Sequence, residues 1–266
     1  MKALSNPWSA GPSSFIVQAF TSAREPGFFS RLFFRFVDWL QERIARNSAV
    51  GDKPIFDNGQ FPWIEALEAR APAIRAELLE VLRDREHLPA FHEISPDVAT
   101  ITQDRQWKTF VFMGYGVRSR RNMARCPETA RALESIPGVL TGFFSILEPG
   151  KHIPPHRGPY NGVLRLHLGL VVPEPRERCW IEVGGRRHVW REGKAVVFDD
   201  LYEHQVRNDT DGLRAVLFVD FERPCRAPVS WLNRLVISLV PLTDELKTSK
   251  ANQLRWEREH YGPDRP

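Results

Sequence analysis

Residues 154–173 read PPHRGPYNGVLRLHLGLVVP. From Val163 onward the pattern has a period of two: Leu164, Leu166, Leu168 and Leu170 fall on one face, and Arg165, His167 and Gly169 on the other, as in a strand with its leucines in a core. Imidazole and guanidinium groups are expensive to bury without partners. The second face of this strand is therefore expected to look into a pocket that holds something polar.

The same texture extends on both sides. From Val139 to Phe221 short runs rich in branched and aromatic residues alternate with turn chemistry: VLTGFFSIL, GVLRLHLGLVV, CWIEVGG, RRHVWREG, AVVFDD, EHQVRND and LRAVLFVDF. Such short strands with Gly, Asn and Asp punctuation imply an antiparallel sandwich or barrel. An eighth strand is expected at QWKTFVFMGYG, on its aromatic and branched content. The last two of the seven runs read as a hairpin turned by Asn208 to Gly212, which would place His204 and Arg214 diagonally on one face.

Helices flank this region. FFSRLFFRFVDWLQERIARN, from Phe28, has Phe29, Leu32, Phe33, Phe36, Leu40 and Ile44 at helical spacing, with Arg31, Arg35, Asp38, Glu42 and Arg46 opposite. It reads as an amphipathic helix, either docked on the body of the protein or resting on anionic lipid. A Ser-, Pro- and Gly-rich lead before it is expected to be loosely ordered. Residues 61–87 are helical in pattern, with Pro72 in a first turn and Ile74, Leu78, Val81 and Leu82 on one face. PETARALESI forms another helix between Pro127 and Pro137, and the chain returns to helix after Pro228.

Composition narrows the class. The chain has 266 residues, of which 42% are hydrophobic, enough for a real core. Its three cysteines, Cys126, Cys179 and Cys225, are scattered and odd in number, which argues against a disulfide framework or a thiolate zinc site and for a reducing compartment. The net charge of +4 suits an anionic small molecule, a phospholipid surface or a nucleic acid equally. Neither a signal-peptide pattern nor an apolar run of about eighteen residues is visible, so the expected location is the cytoplasm, with peripheral contact to the inner face of a membrane through the first helix.

Histidines and an arginine sharing a pocket suit a metal with an anionic chelator, because neutral imidazoles bind Fe(II) and a buried guanidinium matches a carboxylate. His156 and His204 are the best-placed ligands. Pro154 and Pro155 forbid the helix that a pairing of His152 with His156 would need, so His152 reads as a surface residue, and His188 beside two arginines as solvated. Arg214 could alternatively be the structural partner of Asp199, Asp200 or Asp220.

Three segments, SILEPGKHIPPHRGPYNGVLRLHLGLVVP, WREGKAVVFDDLYEHQVRND and LRAVLFVDF, resemble the aspartyl/asparaginyl β-hydroxylase family over about residues 107–220. The resemblance implies a mainly β fold, a double-stranded β-helix of the jelly-roll or cupin kind with flanking helices, and an oxygenase that uses Fe(II), 2-oxoglutarate and O2. It implies metal ligation by His156 and His204. It also implies 2-oxoglutarate binding by Ser145 and Arg214 at the distal carboxylate, by His167 with Arg165 near the proximal one, and by Trp107 lining the pocket. The organisation expected is an N-terminal arm with the amphipathic helix (1–60), a helix-supported oxygenase domain (61–227) and a C-terminal helical tail (228–266).

Two departures bear on chemistry. Gly158 stands where oxygenases at large carry a carboxylate ligand. The family's aspartyl hydroxylases share that glycine, other glycine-bearing oxygenases chlorinate, and an aspartate at 158 is expected to restore a conventional triad. Val163 stands where aspartyl hydroxylases carry an arginine suited to the substrate's carboxylate. The expected function is hydroxylation of an unactivated C–H in a lipid acyl chain. The alternatives are a peptide or free amino acid as substrate, a halogenase, and a metal-free binding module on the same barrel. Nucleic acid is not an expected partner.

Overall fold

Ten strands form two antiparallel sheets in a computed structural model that describes residues 28–262. The loosely ordered lead expected before Phe28 lies outside the described residues. The strands are β1 (Trp107–Gly114), β2 (Val117–Arg118), β3 (Val139–Leu147), β4 (His152–His156), β5 (Val163–Val171), β6 (Cys179–Val183), β7 (Arg186–Val189), β8 (Ala195–Phe198), β9 (His204–Asn208) and β10 (Arg214–Glu222). The larger sheet has six strands in the order β2-β1-β3-β10-β5-β8, and the smaller has four, β4-β9-β6-β7. Two facing sheets with this crossing connectivity make a double-stranded β-helix with flanking helices.

The leucine row of β5 explains the layering. Leu164, Leu166, Leu168 and Leu170 join Phe110, Phe144, Leu217 and Val219 in one core, against Ile74, Leu78 and Val81. Those last three belong to α3 (Ala71–Leu82), which follows the short α2 (Ile64–Ala69). The opposite face of the large sheet packs on the small one through Trp107, Leu147, Val196, Phe198 and Val216 against Ile153, Ile181, Val183 and Val206. Gly169 lets the layers close, because a Cβ there would sit 2.3 Å from the carbonyl oxygen of Arg191, shorter than any side chain tolerates.

Helix α1 (Phe28–Asn47) forms as its pattern implies, and so does α6 (Pro127–Glu134), preceded by the short helices α4 (Phe91–Ile94) and α5 (Arg120–Arg125). The tail is α7 (Val229–Leu239) and α8 (Asp244–Tyr261). The helical pattern of 61–87 is broken near Arg70 and Arg83, giving α2, α3 and a final 3-10 turn. Val37, Leu40 and Ile44 of α1 pack with Val229 and Val236 of α7 and with Tyr160 and Val163. Leu32, assigned by spacing to the apolar face, is exposed. No described helix is long and apolar enough to cross a membrane.

One strand is additional to those expected, and one expected pairing is corrected. Strand β4 was hidden by its prolines. It pairs with β9 at the edge of the small sheet, with a register shift between Ile153 and His156, and edge strands and bulges are where residues without an N–H are tolerated. The expected hairpin of β9 with β10 does not form. Strand β9 pairs with β4 and β6, and β10 with β3 and β5, so the connection between them passes from one sheet to the other. Its corner is fixed by buried Asn208, whose amide donates to the carbonyls of Gly212 (2.8 Å) and Glu148 (3.1 Å). His204 and Arg214 still meet, because the inner faces of the two sheets look at each other.

Candidate active site

The bulge in β4 puts His156 directly opposite His204 of β9. Their rings lie 4.1 Å apart, centroid to centroid. Each Nδ1 faces a carbonyl two residues earlier in the chain: His156 that of Pro154 at 2.8 Å, His204 that of Tyr202 at 3.0 Å. A carbonyl only accepts, so Nδ1 carries the proton and Nε2 keeps its lone pair. Burial lowers both pKa values. Arg165 lowers both further, as does His156 that of His204. The result is a pair of neutral imidazoles with fixed tautomers. Among the described residues, no group of three or more His, Cys, Asp or Glu could hold a metal ion, so a metal here would rely on this pair and on ligands from outside the protein.

Beside the pair is a small cavity between the sheets, lined in part by Trp107, Ser145, His167, Arg165, Arg214 and Phe218. Ser145 of β3 accepts from Trp107 Nε1 at 2.9 Å and lies 3.5 Å from Arg214 Nη1, which also donates to the Ser145 carbonyl at 3.3 Å. Arg214 is only 1% exposed, its Nε has no partner, and its guanidinium lies 4.6 Å from the ring centre of Trp190. No carboxylate is paired with it among the described residues, and burial pulls its pKa down to about 10. It therefore remains charged at neutral pH and uncompensated. His167 is also buried with both ring nitrogens unpartnered, and burial, then Arg214 and Arg165, hold its pKa well below the ordinary range. Buried polar groups without partners are rare in folded proteins, and these two face the same cavity.

The sequence-predicted residues thus converge, with one difference in detail. Arg165 lines the cavity but is already engaged: Nε and Nη2 donate to the Asp220 carboxylate at 2.8 and 3.2 Å, Nη1 lies 2.9 Å from Asp200, and the guanidinium covers the Phe218 ring at 4.3 Å. The three aspartates considered as partners of Arg214 are all taken elsewhere, Asp200 and Asp220 by Arg165, and Asp199 by buried Arg223 at 2.6 Å. His152 is exposed and paired with Asp209. His188 is partly buried on β7 rather than fully solvated, and burial, then Arg191, lower its pKa.

Gly158 has a sharper reason to be glycine than the sequence suggests. A Cβ there would lie 2.2 Å from the carboxyl carbon of Asp200, so the space expected to receive an aspartate is filled by another aspartate. A triad made by Gly158→Asp would therefore require Asp200 to move. Burial, with Asp220 and Asp199 nearby, raises the Asp200 pKa against the opposing pull of Arg165.

Sequence reasoning missed Trp190 and Tyr115. Trp190 is fully buried with an unpartnered indole N–H, against His167 and Arg214; it ends an exposed-looking run of arginines, and nothing in its spacing marks it. Tyr115 has φ 45° between Gly114 and Gly116, costly for an aromatic residue. Burial, Asp220 and Asp200 push its hydroxyl pKa up, so it stands near the Arg165 cluster. The glycines on either side were the available signal.

The family model described as aspartyl/asparaginyl beta-hydroxylase matches residues 68–224. The ornithine lipid ester-linked acyl 2-hydroxylase of Rhizobium tropici is 44% identical over 257 residues, covering 97% of this chain and 92% of the relative. The human aspartyl/asparaginyl beta-hydroxylase is 33% identical over 177 residues, which are 65% of this chain but only 22% of that protein. A crystal structure of a Pseudomonas putida prolyl-4-hydroxylase shares 20% identity at a TM-score of 0.36, covering 57% of this chain and 87% of that one.

Proposed function

Because the chain belongs to the aspartyl/asparaginyl β-hydroxylase family, we propose that it is an Fe(II)- and 2-oxoglutarate-dependent dioxygenase that hydroxylates an unactivated C–H in a lipid acyl chain. The observation that carries the reading is the uncompensated Arg214 guanidinium beside unpartnered His167, in the cavity next to two neutral histidines. A dicarboxylate fits that demand. Arg214 with Ser145 would hold its distal end, and His167, aided by Trp190, its other end.

His156 and His204 would hold the metal, their Nδ1 hydrogen bonds keeping each Nε2 directed as a lone pair. Iron with its cosubstrate and O2 would supply the oxidising power that turns C–H into C–OH. The protein's own share is positional: Ile153, Ile181, Phe198, Val206 and Phe218 keep the cavity dry, and Arg165 fixes Asp200 and Asp220 beside it. No protein general base is needed.

The lipid substrate is favoured by the R. tropici relative, whose name assigns it an ornithine lipid acyl chain, and by Val163, buried among apolar residues where a substrate carboxylate would want a cation. Halogenation is less well supported, because the Asp200 carboxylate leaves little room beyond Gly158 for a halide.

The test is anaerobic titration with Fe(II) and 2-oxoglutarate, then exposure to air with lipid or peptide pools. Succinate release coupled to a hydroxylated acyl chain is the expected outcome. Coupling to a peptide, or to a halogenated product, would replace the lipid reading, and absence of metal-dependent 2-oxoglutarate binding would remove the enzyme.

A further inference from the structure

Helices α1 and α7 leave an unusual outer surface. Their inward residues are consumed in packing on each other and on Tyr160 and Val163. Outward stand Trp231 (66% exposed), Leu235 (53%), Leu242 (66%), Leu32 (56%) and Trp39 (43%), five of the seven large hydrophobic side chains so exposed among the described residues. Basic residues are interleaved with them. Glu42 is paired with Arg46, and Glu222 with Arg234, while Arg35, Arg43 and Arg226 have no carboxylate partner among the described residues; Arg43 lies over the Trp39 ring at 5.3 Å.

We propose that the outer face of α1, α7 and the residues flanking α7 is a membrane-docking surface for an anionic bilayer, on which Trp39, Trp231, Leu235 and, in the turn after α7, Leu242 enter the interface while Arg35, Arg43 and, just before α7, Arg226 meet headgroups. Clustered exposed apolar side chains mark an interaction surface, and tryptophan with arginine is the combination that suits a boundary apolar on one side and wet on the other. Charge chooses the occupant. A second copy facing this one about a two-fold axis would set arginines against arginines, whereas phosphate-bearing lipid compensates them.

The face is also continuous with the site. Asn233 of α7 accepts from the Tyr160 hydroxyl at 2.8 Å and donates to the Gly162 carbonyl at 2.9 Å, and Asn161 donates to the Gln41 carbonyl of α1 at 3.0 Å. The two helices are thereby fixed to the segment that joins β4, which carries His156, to β5. On β5, Val163 belongs to the α1/α7 cluster, and Arg165, next on the same face, lines the cavity. An acyl chain drawn from the bilayer would meet apolar wall before the histidine pair. This inference deepens the lipid-substrate reading and rests on it for that last step alone.

The experiment uses the full chain and vesicles of phosphatidylcholine with phosphatidylglycerol, with pure phosphatidylcholine as control. Wild type should co-sediment with the anionic vesicles at low salt and be released by added salt, as electrostatic attraction near a surface requires. Trp231→Ala with Leu235→Ala, and separately Arg35→Glu with Arg43→Glu, should each weaken partitioning roughly tenfold or more, with melting temperatures unchanged because these side chains are exposed. Wild-type binding by either double variant would overturn the proposal. So would no wild-type binding at low salt, or a solution dimer that Trp231→Ala with Leu235→Ala dissociates. Vesicle binding through this face without hydroxylation of the lipid would uphold docking and remove the substrate reading. Hydroxylation of detergent-dispersed lipid by a chain that ignores vesicles would do the reverse.

Discussion

Replacing Arg214 by methionine should move two measurements in opposite directions. The side chain is 1% exposed and no acid compensates it, so the substrate-free protein bears the cost of a buried charge. The fall in its pKa from the ordinary 12.5 to about 10 corresponds to roughly 3 kcal/mol against the charged form at about 1.4 kcal/mol per pH unit. Against this stand its hydrogen bonds to Ser145 at 3.3 and 3.5 Å and its contact with Trp190, together about 2 kcal/mol. Methionine keeps the apolar stem and most of the volume. The metal-free, cosubstrate-free protein should therefore be unchanged or more stable by about 1 kcal/mol, which is roughly 2–4 °C in melting temperature for a chain of this size. Affinity for 2-oxoglutarate should meanwhile fall by about 2–5 kcal/mol, roughly 30-fold to several thousandfold. Thermal unfolding and calorimetric titration with an inert metal read the two effects separately. A variant that loses more than about 1 kcal/mol of stability while binding the cosubstrate as before would show Arg214 to be a structural residue and would refute the reasoning.

Three further outcomes follow from the site. His156→Ala and His204→Ala should each abolish succinate production and metal retention while leaving circular dichroism near that of wild type, since among the described residues no third His, Cys, Asp or Glu joins this pair; turnover by either variant would end the metal assignment. The metal-free protein should lose stability as pH falls below 6.5. The folded pKa values of His156, His167 and His204 are lowered, so there the unfolded chain takes up protons that the folded one refuses, at about 1.4 kcal/mol per pH unit for each histidine; His167→Phe should flatten that slope by one histidine's share, and denaturant titrations across the window would detect an unchanged slope. Gly158→Asp should reduce stability and iron loading together, because its Cβ meets Asp200 at 2.2 Å; iron binding tighter than wild type would mean that Asp200 yields and a triad forms.

How far the sequence carried depends on what each inference needed. The leucine row of β5 required only the two-residue period of a strand, and both its core face and its cavity face are as read. The bulged strand β4 was invisible because Pro154 and Pro155 argue against a strand unless it is known to lie at a sheet edge, and edge position is a property of the whole sheet. The β9–β10 connection failed for a related reason. Both strands are largely buried, so alternation cannot separate a hairpin from a crossing between facing sheets, while the turn residues around Asn208 serve either.

The site followed the same division. His156, His204, His167, Ser145, Trp107 and Arg214 lie on inner faces whichever way the β9–β10 connection runs, so their convergence survived the error. Pairing among charges did not survive it. One arginine and three aspartates looked interchangeable as partners in the sequence, yet Asp199 belongs to Arg223, and Asp200 and Asp220 to Arg165. That distribution leaves Arg214 alone. The sequence could count the charges but not place them, and the cosubstrate reading depends on the placement: with any of those aspartates against Arg214, the cavity would hold a satisfied ion pair and no demand for an anion.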